Sequence, residues 1–236
     1  ALESGRFRAE QTYDCPGYFQ MGRATFRCWL HGGHGTLDLH QALEHSCNVY
    51  FFRTGLQTGY DYIYHMATAL GLGQKTGIEL GYESTGLVPN EGWKRRVYQD
   101  AWRDGDTCNV SIGQGALTTT PLQMAMVAAV LANGGYVYRP RLVRGQREPG
   151  QEIFHVEQPQ LIRKMGWSEK NIKSVREGMR DVVMSPVGTG RNAAIPDVVM
   201  AGKTVTSEFV KKDDRRRHAW MILFAGVFDF LDGRVA

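Results

Sequence analysis

The sequence predicts a mixed α/β chain of the α+β type, with helices and antiparallel strands in separate stretches. Two apolar runs, Val198 to Val210 and His218 to Phe230, flank the charged stretch Lys211–Arg217 and read as a β-hairpin. Thr120-Pro121, a capping hydroxyl followed by Pro in the first turn, opens a helix to about Asn133 that stops at Gly134-Gly135. Leu122, Met124, Met126, Val127, Val130 and Leu131 make that helix apolar on most sides, which predicts a central, buried position. Ser168 caps a further helix whose apolar face is Ile172, Val175, Met179, Val182 and Val183.

The remaining elements follow in chain order. Residues 1–35 are rich in Gly and aromatics, lack periodicity, and read as a loop region that needs a staple. Thr36 is a candidate cap for a helix through about His45. Helices are expected from Asn48 to about Gln57 and from Tyr60 to Leu70, the latter ended by Gly71 and Gly73. Residues 72–115 carry many Gly, Asn and Trp and read as one long irregular connection. Tyr136 to Val143 reads as extended. There are no repeats and no domain boundary, so 1–236 is expected to be a single unit.

The 236 residues are 22% charged and 42% hydrophobic, an ordinary globular composition. A net charge of +4 with dispersed Lys and Arg argues against nucleic acid; the run Arg215-Arg216-Arg217 beside Asp213 and Asp214 reads as a solvated turn. The most apolar window, Pro121 to Leu131, is too short to span a bilayer.

Cys15, Cys28, His34 and Cys47 follow the spacing C-x12-C-x5-H-x12-C. Three thiolates and an imidazole close a tetrahedral zinc shell with no open position, which is a structural site. A Cys15–Cys28 disulfide with a free thiol is the competing reading, and spacing does not exclude it. Cys108 stands apart and reads as a small buried residue, and His31, His40 and His45 as packing or surface residues. Asp14, next to Cys15, is a minor alternative ligand.

Cys47 is also the middle residue of Ser46-Cys47-Asn48, so the expected metal clamp overlaps a Ser-x-Asn triplet. Downstream, Lys203-Thr204-Val205-Thr206 falls on a predicted strand, where a lysine and hydroxyls can bind a carboxylate and the backbone can pair with an extended peptide. Ser-x-Asn followed by Lys-Thr-x-Thr on a hairpin strand matches two of the three signatures of serine penicillin-recognising enzymes. With Ala42-Leu43-Glu44-His45, Ile112-Gly113-Gln114-Gly115, Thr119-Thr120-Pro121-Leu122-Gln123-Met124 and His218-Ala219-Trp220, the chain resembles the penicillin-binding protein 2 group, class B peptidoglycan D,D-transpeptidases of cell elongation.

The resemblance implies a transpeptidase fold like that of serine β-lactamases, an antiparallel sheet flanked by helices plus a mainly helical subregion, here incomplete at both ends. It implies a serine acyl-enzyme that cross-links stem peptides and is trapped by β-lactams. Ser46 would relay a proton, Asn48 would bind the substrate amide and Lys203 would support the proton network. Thr204 and Thr206 would hold the terminal carboxylate, with the Thr206 N–H in the oxyanion hole. Zinc at positions matching Cys15, Cys28, His34 and Cys47 occurs in some members. The implied partners are peptidoglycan strands, the elongation glycosyltransferase and scaffold proteins, at the periplasmic face of the inner membrane.

Two departures stand out. No Ser-x-x-Lys occurs in the 236 residues; Ser168-Glu169-Lys170-Asn171 places its lysine one residue early. The chain is therefore expected to lack the nucleophile segment and to be inactive alone. Val205 replaces the family's glycine, with crowding as the expected risk. A non-catalytic, zinc-stabilised module that binds peptidoglycan or proteins is the second reading. Gly113-Gln114-Gly115 lacks the Lys-Ser/Thr of a phosphate loop and reads as a tight turn beside the active site.

Overall fold

The computed structural model describes residues 1–147, 149–150, 155–211 and 214–225, with backbone alone at 207–211 and 214–218. Strand β1 (Tyr13–Cys15) pairs antiparallel with β4 (Gly35–Leu37), and between them β2 (Tyr18–Met21) and β3 (Ala24–Arg27) form a small hairpin. The stretch expected to be irregular thus carries four short strands, each too brief to show period-2 alternation. Gly17 (φ +93°) and Gly33 (φ +80°) pinch this region together: a β-carbon would sit 2.2 Å from the His31 carbonyl oxygen at one and 2.1 Å from that of Cys15 at the other.

Helix α1 (Leu39–Glu44) starts later than expected, because Thr36 pairs with Asp14 in the β1–β4 ladder and Asp38 takes the cap. Asp38 accepts from the Gln41 N–H at 2.9 Å and the Gln41 side chain accepts from the Asp38 N–H at 3.1 Å, a reciprocal capping box that Thr36 lacks. Helices α2 (Asn48–Thr58) and α3 (Tyr60–Ala69) lie where periodicity placed them. The connection at 72–115 is not all irregular: α4 (Glu91–Tyr98), capped by Asn90, and α5 (Asp104–Ser111) lie within it, joined by Lys94 to Asp106 at 2.5 Å. Each has only eight residues; α5 has almost no apolar face, and α4 is highly polar apart from Trp93, Val97 and Tyr98.

Helix α6 (Pro121–Ala132) has the expected Thr120 cap, but only Gln123, Ala128 and Val130 are buried along it among the described residues. Gln123 accepts from the Thr120 N–H at 2.9 Å and donates to the Gln74 and Thr85 carbonyls, each at 2.8 Å, so it stitches the 72–86 connection to α6. Strands β5 (Tyr136–Tyr138) and β8 (Leu161–Lys164) pair, as do β6 (Gly145–Gln146) and β7 (His155–Val156); the expected extended run to Val143 stops at Tyr138.

Helix α7 (Glu169–Met184) buries Ile172, Met179, Val182 and Val183 as expected, and Arg176 as well, whose guanidinium caps α6 through the Leu131 and Ala132 carbonyls at 2.6 and 2.8 Å. The hairpin of β9 (Met200–Lys211) and β10 (Asp214–Ala225) follows, in register from Met200↔Ala225 to Lys211↔Asp214. Pairing thus runs through Arg215–Arg217, which are strand residues and not a turn; residues 212–213 and 226–230 lie outside the described residues.

The result is an α+β architecture in layers. The hairpin packs on α7 through Val182, Val183 and Met200, and α7 packs on α1 at Gly178, where a β-carbon would stand 2.6 Å from Leu43. The main core joins α1 and α2 to the N-terminal strands through Phe7, Leu37, Leu39, Val49, Tyr50 and Phe52, with all four cysteines buried in it. An apolar cavity of about 370 Å³ opens among the helices, lined by Leu39, Leu43, Phe51, Met66, Leu131 and Ile172. No helix among the described residues is long and apolar enough to cross a membrane.

Gln123→Ala leaves the Gln74 and Thr85 carbonyls and the Thr120 N–H without this partner. The expected loss of unfolding free energy is about 2–4 kcal/mol, read as a lowered midpoint in urea with an unchanged slope.

Candidate active site

The turn between α1 and α2 is three residues long, and its central residue, Ser46, has a left-handed φ of 53°. A residue with a β-carbon pays about 1–2 kcal/mol for that conformation. Two neighbours hold it there. The Cys47 N–H donates to the Ala42 carbonyl at 3.0 Å, and the Ser46 N–H donates to Leu43 at 3.2 Å. Strain held at one partly buried hydroxyl is a common mark of a functional position.

From the other side comes β9. Lys203 Nζ donates to Ser46 Oγ and, at 3.0 Å, to the Thr204 carbonyl. Burial disfavours the ammonium and lowers its pKa from 10.5 to about 8. Thr189 completes the junction: its Oγ1 lies 3.3 Å from Ser46 Oγ and 2.9 Å from Thr204 Oγ1, and both its N–H and its hydroxyl donate to the Glu44 carbonyl at 3.2 Å. Thr189 was not singled out by the sequence reading, although its setting, Gly188-Thr189-Gly190, is a signal. Both glycines press on the last turn of α7, where a β-carbon at Gly188 would be 2.4 Å from the Asp181 and Val182 carbonyl oxygens.

The other expected residues sit at the rim. Asn48 opens α2, and its side-chain Nδ2 donates to the Arg27 carbonyl at 3.2 Å. The Thr206 carbonyl accepts from Gln114 Nε2 at 3.0 Å, and Gln114 stands in a tight turn between Gly113 (φ 77°) and Gly115 (φ 81°). Val205 pairs with Trp220, and both side chains are exposed, 36% and 45%, so the valine is not crowded.

Behind the Ser46 turn, Cys15, Cys28 and Cys47 are buried with His34, and their donor atoms all lie within 4.8 Å of one another. His34 Nδ1 is 3.6 Å from both Cys15 Sγ and Cys28 Sγ. None of the four cysteines is in a disulfide. The hydrogen bond between Cys47 and Cys28 lowers the pKa of the Cys28 thiol and, with burial, raises that of Cys47. Cys108 lies apart in the core, its thiol pushed up to about 11 by burial. A cleft of about 650 Å³ between α3, α4 and α5 contains none of these residues.

A serine hydroxyl, a half-buried lysine and strand hydroxyls thus converge beside β9, which among the described residues is paired on one side only. Residues 1–234 match the model of the penicillin-binding protein transpeptidase domain. The chain belongs to this family. Transpeptidase relatives include the peptidoglycan D,D-transpeptidase MrdA of Acinetobacter baumannii, 40% identical over 196 residues, which span 82% of this chain and 29% of that protein. Among solved transpeptidase structures, penicillin-binding protein 2 of Pseudomonas aeruginosa, in complex with WCK 5153, superimposes with a TM-score of 0.83 at 30% identity, covering 96% of this chain and 50% of that one. The complex of penicillin-binding protein 2 with MreC from Helicobacter pylori gives 0.78 at 26% identity, covering 94% and 41%. This chain thus corresponds to 29% of the length of the A. baumannii relative.

The lowered lysine pKa has a definite sign. Between about 8 and 10.5 the unfolded chain holds a proton that the folded chain lacks, so the contribution of Lys203 to stability rises with pH across that window. An NMR titration of the lysine ε-carbons is expected to show Lys203 with a midpoint near pH 8, well below the ordinary lysine value of about 10.4.

Proposed function

We propose that these residues form the carboxylate-binding and proton-relay side of a peptidoglycan D,D-transpeptidase active site. The observation that carries this reading is the Lys203–Ser46 contact, with Thr189 bridging Ser46 to Thr204. In the reaction a serine hydroxyl attacks the carbonyl of the penultimate D-Ala of a stem peptide, and the C–N bond to the terminal D-Ala breaks. The serine proton reaches the departing amine, and an amine from a second stem peptide then displaces the ester oxygen. Ser46 is given the relay of that proton; the reading is supported by Lys203, which donates to it and, with a pKa near 8, gives up and regains a proton easily. Thr204 and Thr206 present hydroxyls to the terminal carboxylate. Asn48 binds the substrate amide once its side chain leaves Arg27. The Thr206 N–H serves the oxyanion.

The attacking serine is not among these residues, because no Ser-x-x-Lys occurs in them. The apolar cavity lined by Leu43, one turn from Ser46, gives a further apolar segment room to pack close to the site. Reversible binding without acylation is therefore the activity expected of this chain by itself. β-Lactams enter the reading as mimics of the D-Ala-D-Ala end. An elongation glycosyltransferase and a scaffold protein are the proposed partners, at the periplasmic face of the inner membrane. The H. pylori complex with MreC supports a scaffold of this kind.

The cysteine cluster is proposed to hold zinc through Cys15, Cys28, Cys47 and His34 Nδ1. Bond lengths of about 2.3 Å to sulfur and 2.0–2.1 Å to nitrogen give a tetrahedral N···S edge of about 3.6 Å, and both measured separations are 3.6 Å. A closed four-ligand ion supplies no reaction chemistry; it braces. Here it would fix Cys47, and with it the backbone on one side of Ser46.

Calorimetry with N-acetyl-L-Lys-D-Ala-D-Ala tests the substrate reading. Thr204→Val and Lys203→Ala are each expected to weaken binding about tenfold or more. Equal affinity for the all-L peptide would overturn the assignment. A fluorescent penicillin is expected to leave the chain without a covalent label; a label stable to denaturation would refute the role given to Ser46.

Elemental analysis is expected to find one zinc per folded chain. Cys47→Ser or strong chelation should lower the unfolding midpoint by about 10 °C. Metal well below stoichiometry in folded protein would rule the site out.

A further inference from the structure

The turn Gly113-Gln114-Gly115 has no part in the chemistry above, yet it touches the strand that does. Gln114 Nε2 donates to the Thr206 carbonyl at 3.0 Å, a contact across 92 residues of sequence. The turn is built to hold that side chain in place. The Gly113 N–H donates to the Val110 carbonyl and the Gln114 N–H to Asn109, both at 2.9 Å, so the turn continues the end of α5. Both glycines are left-handed, and a β-carbon at Gly115 would stand 3.4 Å from that of Asn109. Gln114 itself is half-buried.

The direction of the Thr206 carbonyl decides what this contact means. In an antiparallel pair a residue sends its N–H and its C=O to the same side. Among the described residues β9 pairs on one side only, with β10, where Thr206 stands opposite Ala219. Because the Thr206 carbonyl turns away from β10 to meet Gln114, its N–H turns to the same open edge. By the period of two, the backbone groups of Thr204 face that edge as well. An extended peptide that adds to this edge needs the Thr206 N–H as donor and the Thr206 C=O as acceptor together. Its carbonyl would take the first and the N–H of its acyl residue the second.

We propose that Gln114 is a substrate-displaced latch: its side-chain amide occupies the Thr206 carbonyl, and a peptide must expel it to seat its own N–H there. The proposal rests on the reading of the β9 edge as the peptide-binding edge. It adds a specificity element to that edge. A ligand with an N–H at the matching position replaces the hydrogen bond it breaks, whereas a ligand without one leaves the carbonyl bare or leaves the latch shut.

The test uses this chain, the probe N-acetyl-L-Lys-D-Ala-D-Ala, and the variants Gln114→Met, which keeps shape and loses the donor, and Gln114→Ala. Circular dichroism and the unfolding midpoint confirm that each variant folds. Both variants are expected to bind the probe roughly two- to tenfold more tightly than the unmodified chain, and to lose that binding when Thr204→Val is added. In the unmodified chain, the Gln114 side-chain amide resonances are expected to shift on saturation with the probe. Unchanged or weaker binding by folded variants overturns the latch and leaves the substrate reading standing. No binding by the unmodified chain or by either variant overturns the substrate reading, and the latch falls with it.

Discussion

The site depends on the fixing of one strained turn. Ser46 sits in a left-handed conformation between two helices, and its hydroxyl is useful only if that turn stays closed. Two sets of contacts, on opposite sides, keep it so. Behind it, Cys47 is packed into a buried cysteine cluster and bonded back to Ala42. In front, Lys203 and Thr189 tie it to β9 and to the end of α7. Each tie on its own would be modest in energy, since exposed hydrogen bonds exchange readily with water. Together they convert three residues of loop into a fixed point between the helical layer and the hairpin.

That fixed point explains the layering. Helix α7 lies between α1 and β9, and its glycines allow close approach where side chains would hold the layers apart: Gly178 against Leu43, Gly188 against its own last turn. The chain emerging from α7 then delivers Thr189 to the junction of Ser46 and Thr204. The same logic applies on the far side, where α5 ends in the glycine-flanked turn that carries Gln114 to Thr206. Hydroxyls and amides from α1, α7, α5 and β9 therefore meet along one strand edge, although they come from four separate stretches of sequence.

The elements with long, periodic patterns were legible. Helices α2 and α3 begin and end within about two residues of where spacing and capping placed them, and α7 begins at its Ser168 cap, because ten or more residues suffice to display an apolar face. Helices α4 and α5 were not: α5 has almost no apolar face, and α4 is short and polar, though its Asn90 cap and the Trp93–Val97 spacing were usable signals. Thr36 and Asp38 are both good caps; only the reciprocal bond from Gln41 separates them. Arg215–Arg217 looked like a turn because charge was taken to mean a loop, whereas strand register is set by pairing and tolerates charge on an open face.

Residue types and their order along the chain were enough to nominate Ser46, Asn48, Lys203, Thr204, Thr206 and the Cys15–Cys28–His34–Cys47 set, because motif chemistry is written in local spacing. The family follows from the same order. What only the tertiary structure decided is which of these groups meet and through what. Thr189 and Gln114 reach their partners across 143 and 92 residues, distances at which no local pattern survives. The left-handed turn at Ser46, the depressed pKa of Lys203 and the outward carbonyl of Thr206 are likewise products of packing: burial, strain and strand pairing exist only once the layers have closed.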